Sequence, residues 1–225
     1  MSKRLEKIAS YVSDGIGVAD VGTDHGYIPV MLVKRGYKGN ITATDINEGP
    51  LNKAKLNLID ADAENRVELV LCDGLEGVSP DKADTIIVAG MGGDTITGIL
   101  DRAEWCMEKG KKLILQPVTK AEILRYWLVN NDFEITDEAL VEENGTIYQI
   151  ICAVPGKSAG YKYSELYIGK YELIKSDPLF DKVLDIHIKR FRSAVKGLEN
   201  TERSELKPWL EILRNVLGEL IEMQE

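Results

Sequence analysis

The 225-residue chain has few of the residues that build metal centres, disulfide frameworks or membrane segments. It contains three cysteines, Cys72, Cys106 and Cys152, without a C-x-x-C pair, and only two histidines, so neither a disulfide framework nor a zinc site is expected. No apolar run approaches the ~20 residues that cross a bilayer, and the N-terminus is amphipathic rather than a secretion signal. These absences predict a cytoplasmic protein that needs no membrane and no metal.

The chain also lacks an excess of basic charge. Its net charge of −9 argues against a nucleic-acid partner, because affinity for RNA depends on the neutralisation of phosphates. The acids are, however, unevenly distributed: residues 1–155 carry 16 basic and 25 acidic side chains, whereas the remainder carries 12 of each. The objection therefore applies to the first part of the chain and not to the last.

Strand and helix patterns alternate through the first two thirds of the chain. Buried strands are predicted at 17–21, 41–45, 67–71, 84–89 and 112–115, with helices between them. A terminal hairpin of strands at 133–141 and 146–154 follows. This order predicts an α/β, Rossmann-like sheet that is mostly parallel with an antiparallel last strand, and we expect this domain to span residues 1–156.

Past the Gly156–Gly160 linker, the pattern is helical. A short helix is predicted over 163–175, and two longer helices carry apolar stripes at steps of three and four residues. These stripes are Phe180, Leu184, Ile188, Phe191, Val195 and Leu198, then Leu206, Leu210, Leu213, Leu217 and Leu220. The two helices should pack antiparallel across a turn at 199–205, so we expect residues 157–225 to form a helical coiled-coil appendage.

A glycine turn follows the first strand, with Asp20, Gly22, Asp24 and Gly26 at close spacing before a helix. A strand, a glycine turn and a helix are typical of nucleotide-type sites. In the dinucleotide fingerprint a glycine stands where this chain has Asp24, so that pyrophosphate can approach. Two carboxylates would repel pyrophosphate but suit a ligand with an ammonium and a sulfonium, such as S-adenosylmethionine. An ordinary glycine turn is the alternative interpretation.

Two further acids end the next two strands. Asp45 ends the second strand at the distance from Gly22 at which nucleotide-binding units place the acid that holds a ribose diol. Asp73, before Gly74, ends the third strand and can accept a bond from an adenine amino group. Each acid alone is more often a helix cap or a solvated loop residue, but acids at successive strand ends favour one shared site.

The order and spacing of these motifs resemble the bacterial tRNA (adenine(22)-N1)-methyltransferases. The resemblance covers nearly the whole chain and is carried by ADVGTDHGYIP at 19–29, TDINEGP at 44–50, CDGL at 72–75, AGMGG at 89–93 and LQP at 115–117. It implies a class I methyltransferase fold, S-adenosylmethionine as the donor without a metal, and N1 of one adenine in the D-arm region of tRNA as the acceptor.

The resemblance and the strand ends together assign candidate roles. The candidate cofactor-binding residues are Gly22, Asp24 and Gly26 at the methionine end, Asp20 at the ammonium, Asp45 at the ribose, Asp73 and Gly74 at the adenine, and Gly90 beneath the methyl. Adenine N1 has a free lone pair, so the reaction needs no base, but a carboxylate or carbonyl would stabilise the charge that develops on the ring. The candidate catalytic residues are Asp94, Gln116 and His25.

The predicted tRNA contact on the appendage is a basic stripe of Lys182, Lys189, Arg190, Arg192 and Lys196. A solvated helix face is the alternative interpretation of such a cluster. Two other functions remain open: a methyltransferase for a small molecule or protein that uses the appendage to dimerise, and a non-catalytic nucleotide-sensing or assembly module. The chain is expected to be a monomer or a weak homodimer.

Overall fold

The computed structural model describes residues 2–158, 160–199 and 203–224. The strands are β1 (Gly17–Val21), β2 (Asn40–Asp45), β3 (Glu68–Leu71), β4 (Thr85–Gly92), β5 (Lys112–Thr119), β6 (Phe133–Glu143) and β7 (Thr146–Pro155). The α-helices are α1 (Lys3–Ser10), α2 (Tyr27–Lys34), α3 (Glu48–Asp60), α4 (Gly93–Asp101), α5 (Ala121–Asn130), α6 (Tyr163–Ile168), α7 (Tyr171–Ile174), α8 (Phe180–Glu199) and α9 (Lys207–Glu222).

The strands form one seven-stranded sheet in the order β3-β2-β1-β4-β5-β7-β6. The first five are parallel, whereas β7 runs antiparallel to β5 and pairs with β6 as a hairpin. The predicted mostly parallel sheet with a reversed last strand is therefore confirmed. The order of the strands reverses between β1 and β4, and ligands bind in the crevice at such a switch point.

Helices cover both faces of the sheet, which is why the central strands are buried along their length. Alternate residues of β4 enter different cores: Ile86 and Val88 pack with α4 and α5 on one face, and Ile87 packs with α1, α2 and α3 on the other. The ends of β1 and β4 are thus held from both sides, so the crevice between them has rigid walls.

Two predicted helices differ from the structure. The helix predicted between the strands β4 and β5 ends at Asp101, and a separate 3-10 turn, Glu104–Met107, follows it. The helix predicted over 163–175 is divided into α6 and α7 by Gly169, whose φ of 106° is unfavourable for other residues. A Cβ at this position would lie 2.7 Å from the Oε2 of Glu138, so the chain passes too close to Glu138 for a larger residue.

The long C-terminal helices α8 and α9 pack antiparallel, as predicted. Glu199 pairs with Arg214 at 3.1 Å and Asp185 accepts from Gln224 at 2.9 Å, so rising numbers in one helix match falling numbers in the other. The predicted turn at 199–205 lies partly outside the described residues. Within the described part of the chain, no helix is long and apolar enough to span a membrane.

The helical segment shares a core with the sheet. The stripe residues Phe180, Leu184, Ile188 and Phe191 are buried with Leu140 of β6, and other partly buried side chains of β7 and α9 pack against them. The segment is therefore fixed to the β6–β7 hairpin by apolar contact and is not a free arm.

Candidate functional site

A cleft of about 1580 Å³ opens at the carboxyl ends of β1, β2, β3 and β4. It contains most of the predicted site residues: Asp20, Gly22, Asp24, His25, Asp45, Asp73, Gly74, Gly90 and Asp94 line it. Gly26 and Gln116 do not. The carboxylates predicted from strand ends thus lie around one space, as expected for a parallel sheet.

In the β1–α2 turn, the backbone of Gly22 faces this cleft without a side chain. The N–H groups of Gly22 and Thr23 both donate to the carbonyl of Thr44, at 2.8 and 2.9 Å, which ties the turn to β2. Gly22 has a φ of 68°, and a Cβ there would lie 2.1 Å from the Cε of Met91. Gly26 packs the start of α2 against Ala54 of α3, so it shapes the turn without lining the cleft.

Asp20 is a buried carboxylate at the floor of the cleft, only 3% exposed. Burial raises the pKa of Asp20 to about 6, although the Thr23 hydroxyl, which donates to its Oδ2 at 2.6 Å, acts in the opposite direction. Desolvation disfavours the charged form of an acid, and a cation placed nearby reverses that effect. A positively charged group placed above Asp20 would therefore stabilise the ionised form of this carboxyl group.

The other two strand-end acids differ in the hydrogen bonds and ion pairs that they already make within the protein. Asp45 is mostly buried, and its Oδ1 accepts from the N–H of Asn47 at 2.9 Å, which fixes the carboxylate at the tip of β2. Asp73 is half-exposed and pairs with Arg102 at 2.9 Å. Asp45 is thus well placed to accept bonds from a diol, while Asp73 lies at the outer end with a cation of its own.

The end of β4 forms the opposite part of the cleft through an irregular turn. Gly90 has a φ of 81°, and a Cβ on Gly93 would lie 2.1 Å from the carbonyl oxygen of Lys120, so the ends of β4 and β5 approach very closely. Asp94 pairs with Lys120 at 2.6 Å, and this hydrogen bond lowers the pKa of Asp94 below its usual value. Asp94 is therefore ionised, and Lys120 holds its carboxylate in place.

Of the three predicted catalytic residues, His25 and Asp94 line the cleft and Gln116 does not. His25 stacks on Tyr27, with ring centroids 5.2 Å apart, on the side of the cleft formed by the β1–α2 turn. Gln116 is fully buried: its Nε2 donates to the Pro117 carbonyl at 2.9 Å and its Oε1 accepts from the guanidinium of Arg4. Gln116 thus contacts the cleft indirectly, through Arg4.

Sequence reasoning missed Thr23, Met91, Arg102, Lys120 and Arg4. Thr23 and Met91 stand inside the quoted motifs, three residues after Asp20 and directly after Gly90, so the signal for them was present. The three cations instead reach the site from α1, α4 and the start of α5, and no local pattern links them to their partners.

Comparison with known proteins shows which proteins share this sequence and architecture. The model of a family described as methyltransferase domain matches residues 1–151. A tRNA (adenine(22)-N1)-methyltransferase of Bacillus subtilis is 34% identical over 170 residues, which cover 75% of this chain and 71% of that protein.

Two solved structures match over the whole chain. The m1A22 tRNA methyltransferase of B. subtilis has a TM-score of 0.89 at 27% identity, covering 100% of this chain and 99% of that one. A candidate tRNA (m1A22) methyltransferase of Streptococcus pneumoniae, solved with S-adenosyl-L-methionine, has a TM-score of 0.85 at 29% identity and full coverage of both chains. The predicted family resemblance is confirmed, and the chain belongs to the tRNA (adenine(22)-N1)-methyltransferase family.

Proposed function

We propose that this protein transfers a methyl group from S-adenosylmethionine to N1 of adenine 22 in tRNA. The observation that carries the proposal is the pair of carboxylates at the switch point, with Asp20 buried beneath the turn and Asp45 fixed at the tip of β2. Together with bare backbone at Gly22, they fit an adenosyl group with a cationic end and disfavour a pyrophosphate. The identity of the acceptor, N1 of adenine 22, is inferred from the family to which the chain belongs.

The donor is held along the strand ends. Asp45 accepts from the ribose hydroxyls, Asp73 and Gly74 meet the adenine, and Gly22 with Asp24 lies along the methionine part. Asp20 lies below the ammonium. When bound, S-adenosylmethionine supplies a methyl group that the positively charged sulfur has already made electrophilic. The protein therefore contributes mainly alignment of donor and acceptor.

The acceptor enters at the end of β4. N1 of adenine attacks with its own lone pair, so no side chain has to remove a proton first, and positive charge develops on the ring. Asp94 is the ionised acid at this end of the cleft, and we assign it the stabilisation of that charge, with Lys120 holding its carboxylate in place. His25 lies on the donor side, and Gln116 contributes by holding Arg4.

The test is direct. Transfer RNA is incubated with the protein and donor carrying a labelled methyl group, and the nucleosides are separated by mass spectrometry. We expect label in 1-methyladenosine, and none with a tRNA in which position 22 is guanosine. Label in another nucleoside, or only in a protein or small molecule added in its place, would reject the proposed acceptor.

The raised pKa of Asp20 predicts that donor affinity depends on pH. Ionised Asp20 attracts the ammonium, and its pKa is about 6 in the free protein. Affinity for S-adenosylmethionine, measured by calorimetry, should therefore fall about tenfold between pH 7.5 and pH 5. Asp20→Asn should bind more weakly at pH 7.5 and show no such change.

The free energy of unfolding of the same variant provides the control for this prediction. The folded pKa of Asp20 lies above the ordinary value of 3.8, so this residue destabilises the fold progressively as pH rises from about 4 to about 6. Asp20→Asn should accordingly be the more stable protein above pH 6 in urea unfolding. A variant that loses both affinity and stability would show that Asp20 is a structural residue.

We propose a division of labour between a donor-binding domain, residues 1–156, and a tRNA-binding helical domain, residues 157–225. On the exposed side of α8, Lys189, Arg192 and Lys196 share one face, and among the described residues no acid lies within ion-pair distance of them. Lys182 instead pairs with Glu142 at 2.6 Å. Arg190 lies near His187, whose pKa is lowered by burial and, to a smaller extent, by the charge of Arg190. Three of the five predicted cations are thus disposed to meet phosphate.

Replacing Lys189, Arg192 and Lys196 together by glutamine should weaken tRNA binding and its salt dependence. Three lost phosphate contacts should reduce the slope of log affinity against log salt by about two to three, as measured by filter binding. Affinity for S-adenosylmethionine should not change. The matched control replaces three exposed lysines of the first domain, Lys38, Lys53 and Lys55, by glutamine and should keep the original slope. An unchanged slope in the α8 variant would reject this face as the RNA contact.

A further inference from the structure

Three side-chain oxygens surround the end of β4, where the proposed acceptor enters. A Cβ on Gly92 would lie 2.7 Å from the Oδ1 of Asp94. The hydroxyl oxygens of Thr119 and Thr95 lie 3.2 and 3.8 Å from the same point. Asp94 and Thr95 also line the cleft. Because Gly92 has no side chain, the three oxygens border an open space at the rim of the cleft, and each of them can accept a hydrogen bond.

The carboxylate of Asp94 is held in a fixed orientation. Its Oδ2 accepts from the Nζ of Lys120 at 2.6 Å, while its Oδ1 faces Gly92. The hydrogen bond from Lys120, together with bonds from the backbone N–H groups of Asp94 and Thr95, lowers the pKa of Asp94. The ionised carboxylate is an acceptor only and has about four acceptor sites. A ligand that donates hydrogen bonds can therefore bind Asp94 without displacing Lys120.

Lys120 approaches Asp94 from a backbone that is itself fixed. Its φ is 57°, whereas the other described non-glycine residues with positive φ are Asp or Asn, which tolerate this conformation better than lysine. The carbonyl of Lys120 accepts from the N–H groups of Ile123 and Leu124, at 3.1 and 3.4 Å, and lies against Gly93. These contacts hold the unfavourable conformation in place, so the direction from which the lysine reaches Asp94 is defined.

Adenine and guanine differ at the edge of the ring that carries N1. Adenine has an amino group, N6, beside a free lone pair on N1. Guanine has a carbonyl oxygen, O6, at the same place and a proton on N1. A carboxylate accepts a hydrogen bond from N6 but repels O6. A carboxylate bound to N6 would also set the position of the adjacent N1 relative to the methyl group of the donor.

We propose that Asp94 accepts a hydrogen bond from the N6 amino group of the target adenine and so selects adenine over guanine, with Lys120 as the positioning residue. This inference rests on the proposed function and adds the group by which the base is recognised. In the reaction the N1 lone pair forms the bond to the methyl carbon, the bond from that carbon to sulfur breaks, and its electron pair stays on sulfur. No proton moves. The positive charge is shared between N1 and N6, so the hydrogen bond to Asp94 strengthens as the transition state forms.

A tRNA whose target base lacks N6 tests the inference. Purine riboside at position 22 keeps the N1 lone pair but has no amino group. We compare kcat/KM for this tRNA with kcat/KM for the same tRNA carrying adenosine. The preference for adenosine should be about 10- to 100-fold smaller in Asp94→Ala than in the unaltered protein, because only the unaltered protein loses a hydrogen bond to N6. The comparison within each variant cancels both the intrinsic reactivity of the base and the amount of folded protein.

Two variants of Lys120 test its positioning role. Lys120→Met should lose part of the preference for adenosine, and Lys120→Arg, which keeps a cation, should restore it. Both should bind S-adenosylmethionine normally in calorimetry, because Lys120 does not line the cleft. Glu104→Ala removes an exposed acid from the 3-10 turn that follows α4 and is the matched control. It should show the full preference of the unaltered protein.

The remaining outcomes separate the alternatives. If Asp94→Ala slowed methylation of both tRNAs by the same factor, Asp94 would stabilise charge without contacting N6, and the inference would be overturned. Full preference for adenosine in Lys120→Met would show that Lys120 does not position Asp94. If the unaltered protein methylated neither tRNA, the proposed function itself would fail, whatever Asp94 contacts.

Discussion

Replacing Asp45 by alanine is expected to lower the affinity for S-adenosylmethionine by at least about 100-fold. The carboxylate at the tip of β2 can accept from both ribose hydroxyls, and each hydrogen bond to a charged group contributes about 1.5–3 kcal/mol. Asp45 is already mostly buried and oriented by the Asn47 N–H, so the donor gains these bonds without reordering the side chain. Calorimetric titration at pH 7.5 measures the change.

Two variants separate the charge of Asp45 from its local structural role. Asp45→Asn can keep the 2.9 Å bond from the Asn47 N–H but loses the negative charge, so it should bind weakly while unfolding at the same urea concentration as the unaltered protein. Asp60→Ala, at the exposed C-terminal end of α3, removes an acid away from the cleft and should bind normally. Normal binding by Asp45→Ala would contradict the placement of the ribose.

The donor half of the site was predictable because its signals are local. A parallel strand, the turn that follows it and the acid at its tip are neighbours in sequence, and the carboxyl ends of parallel strands meet at one edge. Asp20, Gly22, Asp45 and Asp73 therefore lie together as their positions along the chain predicted. Gly26 shows the limit of this reasoning. It was predicted to bind the cofactor, but it lacks a Cβ because α2 packs closely on α3 at this point.

The side of the cleft at the ends of β4 and β5 depends on contacts between distant segments. Arg4 meets Gln116 across 112 residues, and Lys120 meets Asp94 through the close approach of two strand ends. Neither pair has a characteristic spacing, so the sequence supplied Asp94 and Gln116 as candidates but not the cations that hold them. The burial of Gln116 could not be foreseen, because the strand predicted to end at residue 115 continues to Thr119 and so places Gln116 inside the sheet.

The attachment of the helical segment to the sheet could likewise not be predicted from the sequence. Arg125 of α5 and Glu138 of β6 form an ion pair at 2.7 Å, and each side chain is only 1% exposed. The Nη1 of Arg125 donates to the Leu166 carbonyl at 3.0 Å, and the Oε2 of Glu138 accepts from the Lys170 N–H at 2.6 Å. The pair thus joins the sheet to the end of α6 and the start of α7, on either side of Gly169.

Glu138→Ala is accordingly expected to destabilise the protein by about 3–5 kcal/mol, because it leaves the guanidinium of Arg125 buried without a counter-charge. Urea unfolding measures this loss. The matched control is the exposed pair of Lys82 and Glu68, 3.1 Å apart, where Glu68→Ala should cost less than about 1 kcal/mol. Combining Glu138→Leu with Arg125→Met removes both charges and should recover much of the stability. If Glu138→Ala cost no more than Glu68→Ala, the buried pair would not add to the apolar contacts that attach the helical segment to the sheet.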